Sequence, residues 1–185
     1  MKLIATIKRL CARFRREERA AVSTEFVLIL PLLLWWYVGS FAFYDAFRDY
    51  NVTVKASYTL GDILSRQTEI DNDYLDGLES LLEFMTAGTG AWLRVSSIKY
   101  SDDDGYTVEW SYATDDHQVV TDEKIYLWDF DEDYLPTMAN GDTVILSETY
   151  VPFTPAFNVG LNSHWLSNIV VTRPRFTSQV VNSDF

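Results

Sequence analysis

The sequence predicts an α+β protein with one long, membrane-crossing N-terminal helix that continues past the membrane, a second helix, and a mainly antiparallel sheet of about four strands. Three observations carry this reading. Residues 26–44 read FVLILPLLLWWYVGSFAFY, an unbroken apolar run without a charge. Residues 74–86 place Tyr74, Leu78, Leu81, Leu82 and Met85 at helical spacing. From Ala91 onward, aromatic and β-branched runs alternate with polar residues and are separated by turn signals.

At 185 residues the chain holds one ordinary domain and an extra element, which excludes a large multidomain enzyme. Charge is divided unevenly. Met1 to Ala20 carries Lys2, Lys8, Arg9, Arg13, Arg15, Arg16 and Arg19 against Glu17 and Glu18, a net of +5, whereas Asp45 onward carries eight basic and 24 acidic residues, a net of −16. An acidic body repels nucleic acid and anionic lipid, so no nucleic-acid partner is expected. The single cysteine, Cys11, rules out an intrachain disulfide and is given no role.

Taken in order, residues 1–20 form a basic leader. Residues 21–44 form the spanning helix, because the 19 positions of the charge-free run reach about 28 Å against a hydrocarbon core of about 30 Å. The excess of Lys and Arg before the run keeps the leader in the cytoplasm and exports the acidic body on its other side. A cleaved secretory signal is the competing reading, but the run exceeds a signal core and is succeeded by Tyr44-Asp45 in place of a small-residue cleavage site.

Residues 45–66 continue the helix, with Phe47, Tyr50, Val54, Tyr58 and Leu64 as its apolar stripe. The alternative is a break near Tyr44, since β-branched Val52, Thr53 and Val54 weaken the junction. Residues 67–185 make the exported acidic α+β domain. Asp73 is the expected cap of its helix and Gly88 the terminator. Trp92–Tyr100 and Tyr106–Tyr112 flank the turn SDDDG as a hairpin, with Tyr106, Val108, Trp110 and Tyr112 on one face. Asn140-Gly141-Asp142 introduces a third strand over Thr143–Val151, and Ser167–Arg173 ahead of Pro174 is the fourth. LWDFDEDYLPTM between them reads as a loop with a helical turn around Asp131–Leu135.

Glu25 stands one residue ahead of the apolar run, where a carboxylate drawn to a bilayer centre costs about 2.5 to 3.5 kcal/mol. Such a group calls for a partner. The segment RAAVSTEFVLILPLLL, residues 19–34, resembles the start of the TadE-like minor pilins or pseudopilins. These belong to the TadE/TadG-like family within the type IV pilin superfamily, in tight-adherence (Flp) pilus systems. NGDTVILSETYVPFTPAF (140–157) and VVTRPRF further resemble that family's later strand, Tyr-x-Pro-x-x-Pro turn and closing strand. The two matches cover both ends of the chain and leave about residues 67–139 to pattern alone.

The resemblance implies a type IV pilin-like fold. It also implies cleavage by a prepilin peptidase between Ala20 and Ala21, which makes Glu25 the fifth residue of the mature chain. The freed amine of Ala21 would pair with Glu25 of a neighbouring subunit and register assembly. The partners it implies are the inner membrane, the peptidase and other pilin or minor pilin subunits, in a homo- or hetero-oligomer that contributes to pilus biogenesis and surface adhesion. Ala20 departs from the family's Gly before the cut. Without cleavage the chain reads as a permanently anchored periplasmic scaffold or binding protein of the same apparatus.

No catalytic residue, cofactor or metal is expected. His117 and His164, the only histidines, lie in no nucleophile or metal motif and read as solvated loop residues. Asp102-Asp103-Asp104-Gly105 and Asp129–Asp133 concentrate oxygen ligands, but neither fits a calcium-loop pattern, and a hairpin turn and acidic surface explain them better.

Overall fold

The structure is a computed structural model that describes residues 18–122, 135–157 and 159–185, with only the backbone of residues 18–23. The described residues fall into two compact units. One ends at Asp45 and includes Ala156–Gly160; the other comprises Ala46–Pro155 and Leu161–Phe185.

Helix α1 runs Glu18–Ser65, 48 residues without interruption, so the break considered near Tyr44 is absent. Pro31 lies inside it and removes the hydrogen bond that would reach the Val27 carbonyl, a loss that membrane helices tolerate. In the first unit Phe41 meets Phe157 edge to face, with ring centroids 6.4 Å apart.

In the second unit the apolar stripe expected on α1 is corrected. Phe47, Tyr50 and Tyr58 are exposed, Tyr58 to 64%. The buried face is Thr53, Ala56, Ser57, Leu60, Gly61 and Leu64. The physical reason is distance: a Cβ at Gly61 would lie 3.0 Å from Val170 Cγ1 and 3.3 Å from Thr172 Cγ2, leaving no space for a larger side chain. Close approach therefore selects small residues, and the bulky aromatics turn outward.

After β1 (Glu69–Ile70) comes α2 (Asn72–Thr86). Its cap is Asp71, not Asp73: the Asp71 side chain accepts from the Tyr74 amide at 2.7 Å, while Asp73 sits in the first turn, where a negative charge also suits the helix dipole. The far end is closed by Ala87 in the left-handed region (φ 51°), with the Ala87 and Gly88 amides donating to the Phe84 and Glu83 carbonyls. This is a Schellman closure with alanine in the position expected of Gly88. Leu75, missed by the periodicity, joins Leu78 and Leu82 in the core.

The sheet has four antiparallel strands in the order β3-β2-β4-β5, built from β2 (Trp92–Ser101), β3 (Gly105–Ala113), β4 (Thr143–Phe153) and β5 (His164–Thr172). The fourth strand starts at His164, three residues before the expected Ser167. A short β6 (Val181–Asn182) pairs in parallel with β1, an element the sequence did not announce. The expected single face of β3 is divided by a bulge. Ser97 pairs with Trp110 but Ile98 with Val108, so Glu109 is the extra residue and the alternation inverts there.

That inversion sends Trp110 and Tyr112 to the core shared with α1 and α2, and Tyr106 and Val108 to a smaller cluster with Ile98, Val144 and Leu146. In the larger core Leu60, Leu64, Leu75, Leu82, Leu93 and Val95 are fully buried. Each buried leucine contributes about 1.5 to 3 kcal/mol of transfer free energy. Residues 127–134 of the acid-aromatic segment, with Asp129–Asp133, lie outside the described residues. Asp102–Asp104 form the β2–β3 turn as expected.

Candidate functional site: an apolar helix with a glutamate at its head

The first unit's part of α1 is covered by very little protein. Phe26 to Leu34 are exposed at every large position, as are Trp35, Trp36, Tyr37, Phe41, Phe43 and Tyr44. Trp35 and Trp36 are each 65% exposed. An unbroken apolar surface of this extent marks contact with lipid or with other apolar helices. By length and composition α1 is the one described helix able to cross a membrane.

The three residues singled out from sequence all lie on this helix. Ala20 and Ala21 are helical in backbone, so the Ala20–Ala21 bond is part of α1. Glu25 is exposed, immediately before Phe26. Residues 21 and 25 are one turn apart on the same face, at about 6 Å of rise. The helix thus places the Ala21 nitrogen and the Glu25 carboxylate at one end of the apolar run.

In the second unit, three hydroxyls inside the helix-sheet contact are satisfied, whereas Nδ2 of Asn168, the cross-strand partner of Thr149, is buried without a hydrogen-bond partner among the described residues. Thr53 Oγ1 donates to the Asp49 carbonyl (2.9 Å), Ser57 Oγ donates to the Thr53 carbonyl (2.8 Å), and the hydroxyls of Ser57 and Thr149 meet at 2.6 Å. Because the Ser57 proton is committed to its own helix, Thr149 is the donor of that last bond.

On the opposite sheet face sits an arrangement that sequence reasoning missed. Arg94 of β2 and Glu148 of β4 are paired in register and almost fully buried. Arg94 Nε and Nη2 donate to the two Glu148 oxygens at 2.5 and 2.8 Å, and Nη1 donates to the Gln118 carbonyl at 2.7 Å. The bidentate pair fixes the β2–β4 register, and its third bond holds the chain after β3 against the sheet. Above it, Trp92 is stacked between Tyr150 (3.9 Å) and His117 (4.0 Å). The available signal was a lone charge of opposite sign in each of two otherwise uncharged stretches, WLRVSSI of β2 and TVILSETYV of β4.

These contacts set the electrostatics. Burial, and after it the Glu148 carboxylate, push the Tyr150 phenol up to about 12. Burial and the hydrogen bond to Asp76 do the same for Tyr112, also to about 12. Burial raises the Glu79 carboxyl above the ordinary range. His117 is a surface ring on Trp92. His164 is not a loop residue but heads β5, its Nδ1 3.0 Å from the Asn162 carbonyl. Among the described residues no three His, Cys, Asp or Glu side chains converge as metal ligands.

Comparison with protein-family models, with curated proteins and with solved structures finds no match to this chain.

Proposed function

We propose that the chain is a TadE-like minor pilin or pseudopilin. In this reading α1 anchors it in a bacterial inner membrane with the leader in the cytoplasm and residues 67–185 in the periplasm. Subunits then associate with other pilin or minor pilin subunits through α1, and contribute to tight-adherence pilus biogenesis and surface adhesion. The observation that carries the reading is a single helix with two kinds of surface: a glutamate-led apolar stretch bare of protein, and a small-residue face seated on a four-stranded antiparallel sheet. Such a helix both anchors and assembles.

Glu25 supplies the registration. A lone carboxylate at the head of an apolar helix is unfavourable in a bilayer, and the amine of Ala21 on a neighbouring cleaved subunit neutralises it. The periplasmic domains, net negative, then face outward and away from each other. No step in this reading is catalytic, and neither histidine has a part in it.

One observation favours a second reading. Ala20 holds the place where the family has Gly, and an uncut chain lacks the Ala21 amine, leaving an anchored scaffold or binding protein of the same apparatus. Replacing Glu25 with Leu in the native host separates the two. The assembly reading expects membrane insertion to persist while pilus formation and surface adhesion are lost. Adhesion that survives Glu25→Leu contradicts it and favours the anchor.

A further inference from the structure

The two edges of the sheet are finished differently. At the β3 edge the Glu109 bulge breaks the strand, and the Val108 amide donates to Asp122 Oδ1 at 2.6 Å, so backbone that a further strand needs is already in use. The β5 edge has no such protection. His164–Thr172 keeps one register against β4 over all nine residues and contains no proline, Asp, Glu, Lys or Arg. Among the described residues its backbone bonds run only to β4, and no strand lies along its other side. Trp165 and Ile169 are exposed on the face opposite Leu166 and Val170, and Asn168, whose Nδ2 is buried without a partner among the described residues, belongs to the same strand. A long, uncharged, unpaired edge is a template for another strand.

Charge selects the occupant. From Thr149 to Ser183 the only charged residues are Arg173 and Arg175, in a chain of net charge −12. Arg173 stands just past the end of β5 and is ion-paired with Asp142, the residue before β4. Arg175 and Arg66 share the Asp62 carboxylate, at 2.7 and 2.8 Å. Three guanidiniums thus meet two carboxylates, a surplus of one positive charge at this end of the strand. On its paired side β5 already holds an antiparallel strand that opens with Asp142 and continues as the uncharged run Thr143–Ser147. We infer that the open edge of β5 receives a strand of the same kind from another protein: extended, antiparallel, apolar along its body and acidic at the end that meets the arginines. A second copy supplies no such strand, because its β3 edge is closed and its β5 brings no acid. The inference uses the second unit alone, so it neither needs nor tests the membrane-crossing reading of α1.

The test uses a fluorescent peptide with the sequence of residues 142–151 carrying Glu148→Thr, titrated with the full chain in detergent and read by anisotropy. Saturable binding is expected, and its absence overturns the inference. Two further peptides are methylated on alternate backbone nitrogens, one in each phase. Only alternate amides of an added strand point toward β5, so one phase should lose at least about tenfold in affinity while the other binds like the parent. Loss in both phases marks exchange with β4, which is paired on both sides, and retention in both excludes backbone pairing; either result overturns the inference. Asp142→Lys in the peptide should weaken binding about threefold, and by less at high salt. No change there overturns the acidic end. In the protein, Ile169→Lys places a charge at an exposed edge position and should abolish binding without lowering the unfolding midpoint. Unchanged binding contradicts the edge, and the methylated peptides decide the matter without any change to the protein. Sedimentation of the chain alone addresses the other occupant: a dimer that Ile169→Lys dissolves would give the edge to a second copy and overturn the choice of partner.

Discussion

The two parts of α1 invert the usual rule for which residues a protein buries. Between Phe26 and Tyr44 nearly every large apolar side chain is exposed, while between Thr53 and Leu64 the buried positions include a threonine, a serine, an alanine and a glycine. Hydrophobicity decides burial only when the alternative is water. The first stretch, long and apolar enough to cross a membrane, lacks a protein cover, as a helix in apolar surroundings would, and the second is buried because small side chains let the helix backbone reach the sheet. Polar groups divide in the same way: inside the domain Ser57 and Thr149, and Arg94 and Glu148, are tied down in pairs, whereas Glu25 at the head of the apolar stretch is exposed.

The contrast is broken most severely at the buried ion pair. Glu148→Gln leaves Arg94 charged, buried and half-partnered, and should cost about 3 to 5 kcal/mol in the denaturant unfolding of the full chain in detergent. Glu25→Gln, in the same assay, should leave the midpoint unchanged. Next in size is the close approach at Gly61. Gly61→Val forces a branched side chain against Val170 and Thr172 and should cost about 1 to 3 kcal/mol, while Gly39→Val, whose Cβ meets nothing within 4 Å, should not destabilise the domain. Equal effects at the two glycines would remove the distinction between the two parts of the helix.

A smaller effect appears at high pH. The Tyr150 phenol titrates near 12 in the folded chain against about 10 when unfolded, so its contribution is complete below pH 10 and is lost as pH rises through 12. Tyr112 shifts in the same sense. Stability should therefore fall as pH rises above about 10, and Tyr150→Phe should make that fall shallower. Phe47→Ala and Tyr58→Ala should be the mildest, within about 0.5 kcal/mol, because both rings are exposed. A larger loss at either would mean that the outward aromatics support the fold after all.

Elements with a strong local signal were legible in the sequence. The charge-free run, the hairpin around SDDDG and the strand after Asn140-Gly141-Asp142 all appear near their expected bounds, since length, turn chemistry and alternation are properties of short segments. Features that depend on distant partners were not. The buried face of α1 is set by how near Val170 and Thr172 come, which no helical period reveals. The bulge at Glu109 inverts an alternation that looked unbroken, and β1 and β6 are too short to be seen without each other. Asp71 and Asp73 are equally good caps by residue type, and only backbone geometry separates them. The pairing of Arg94 with Glu148 was readable in principle as two lone opposite charges, but only the sheet register places them side by side.

The most direct test of the proposed subunit is the mass of the intact protein isolated from its native host. Cleavage at the Ala20–Ala21 bond predicts a chain that begins at Ala21, with the Glu25 carboxylate one helical turn from a new positive amine. A chain that retains Met1 would contradict registration by that amine and leave α1 as an anchor alone.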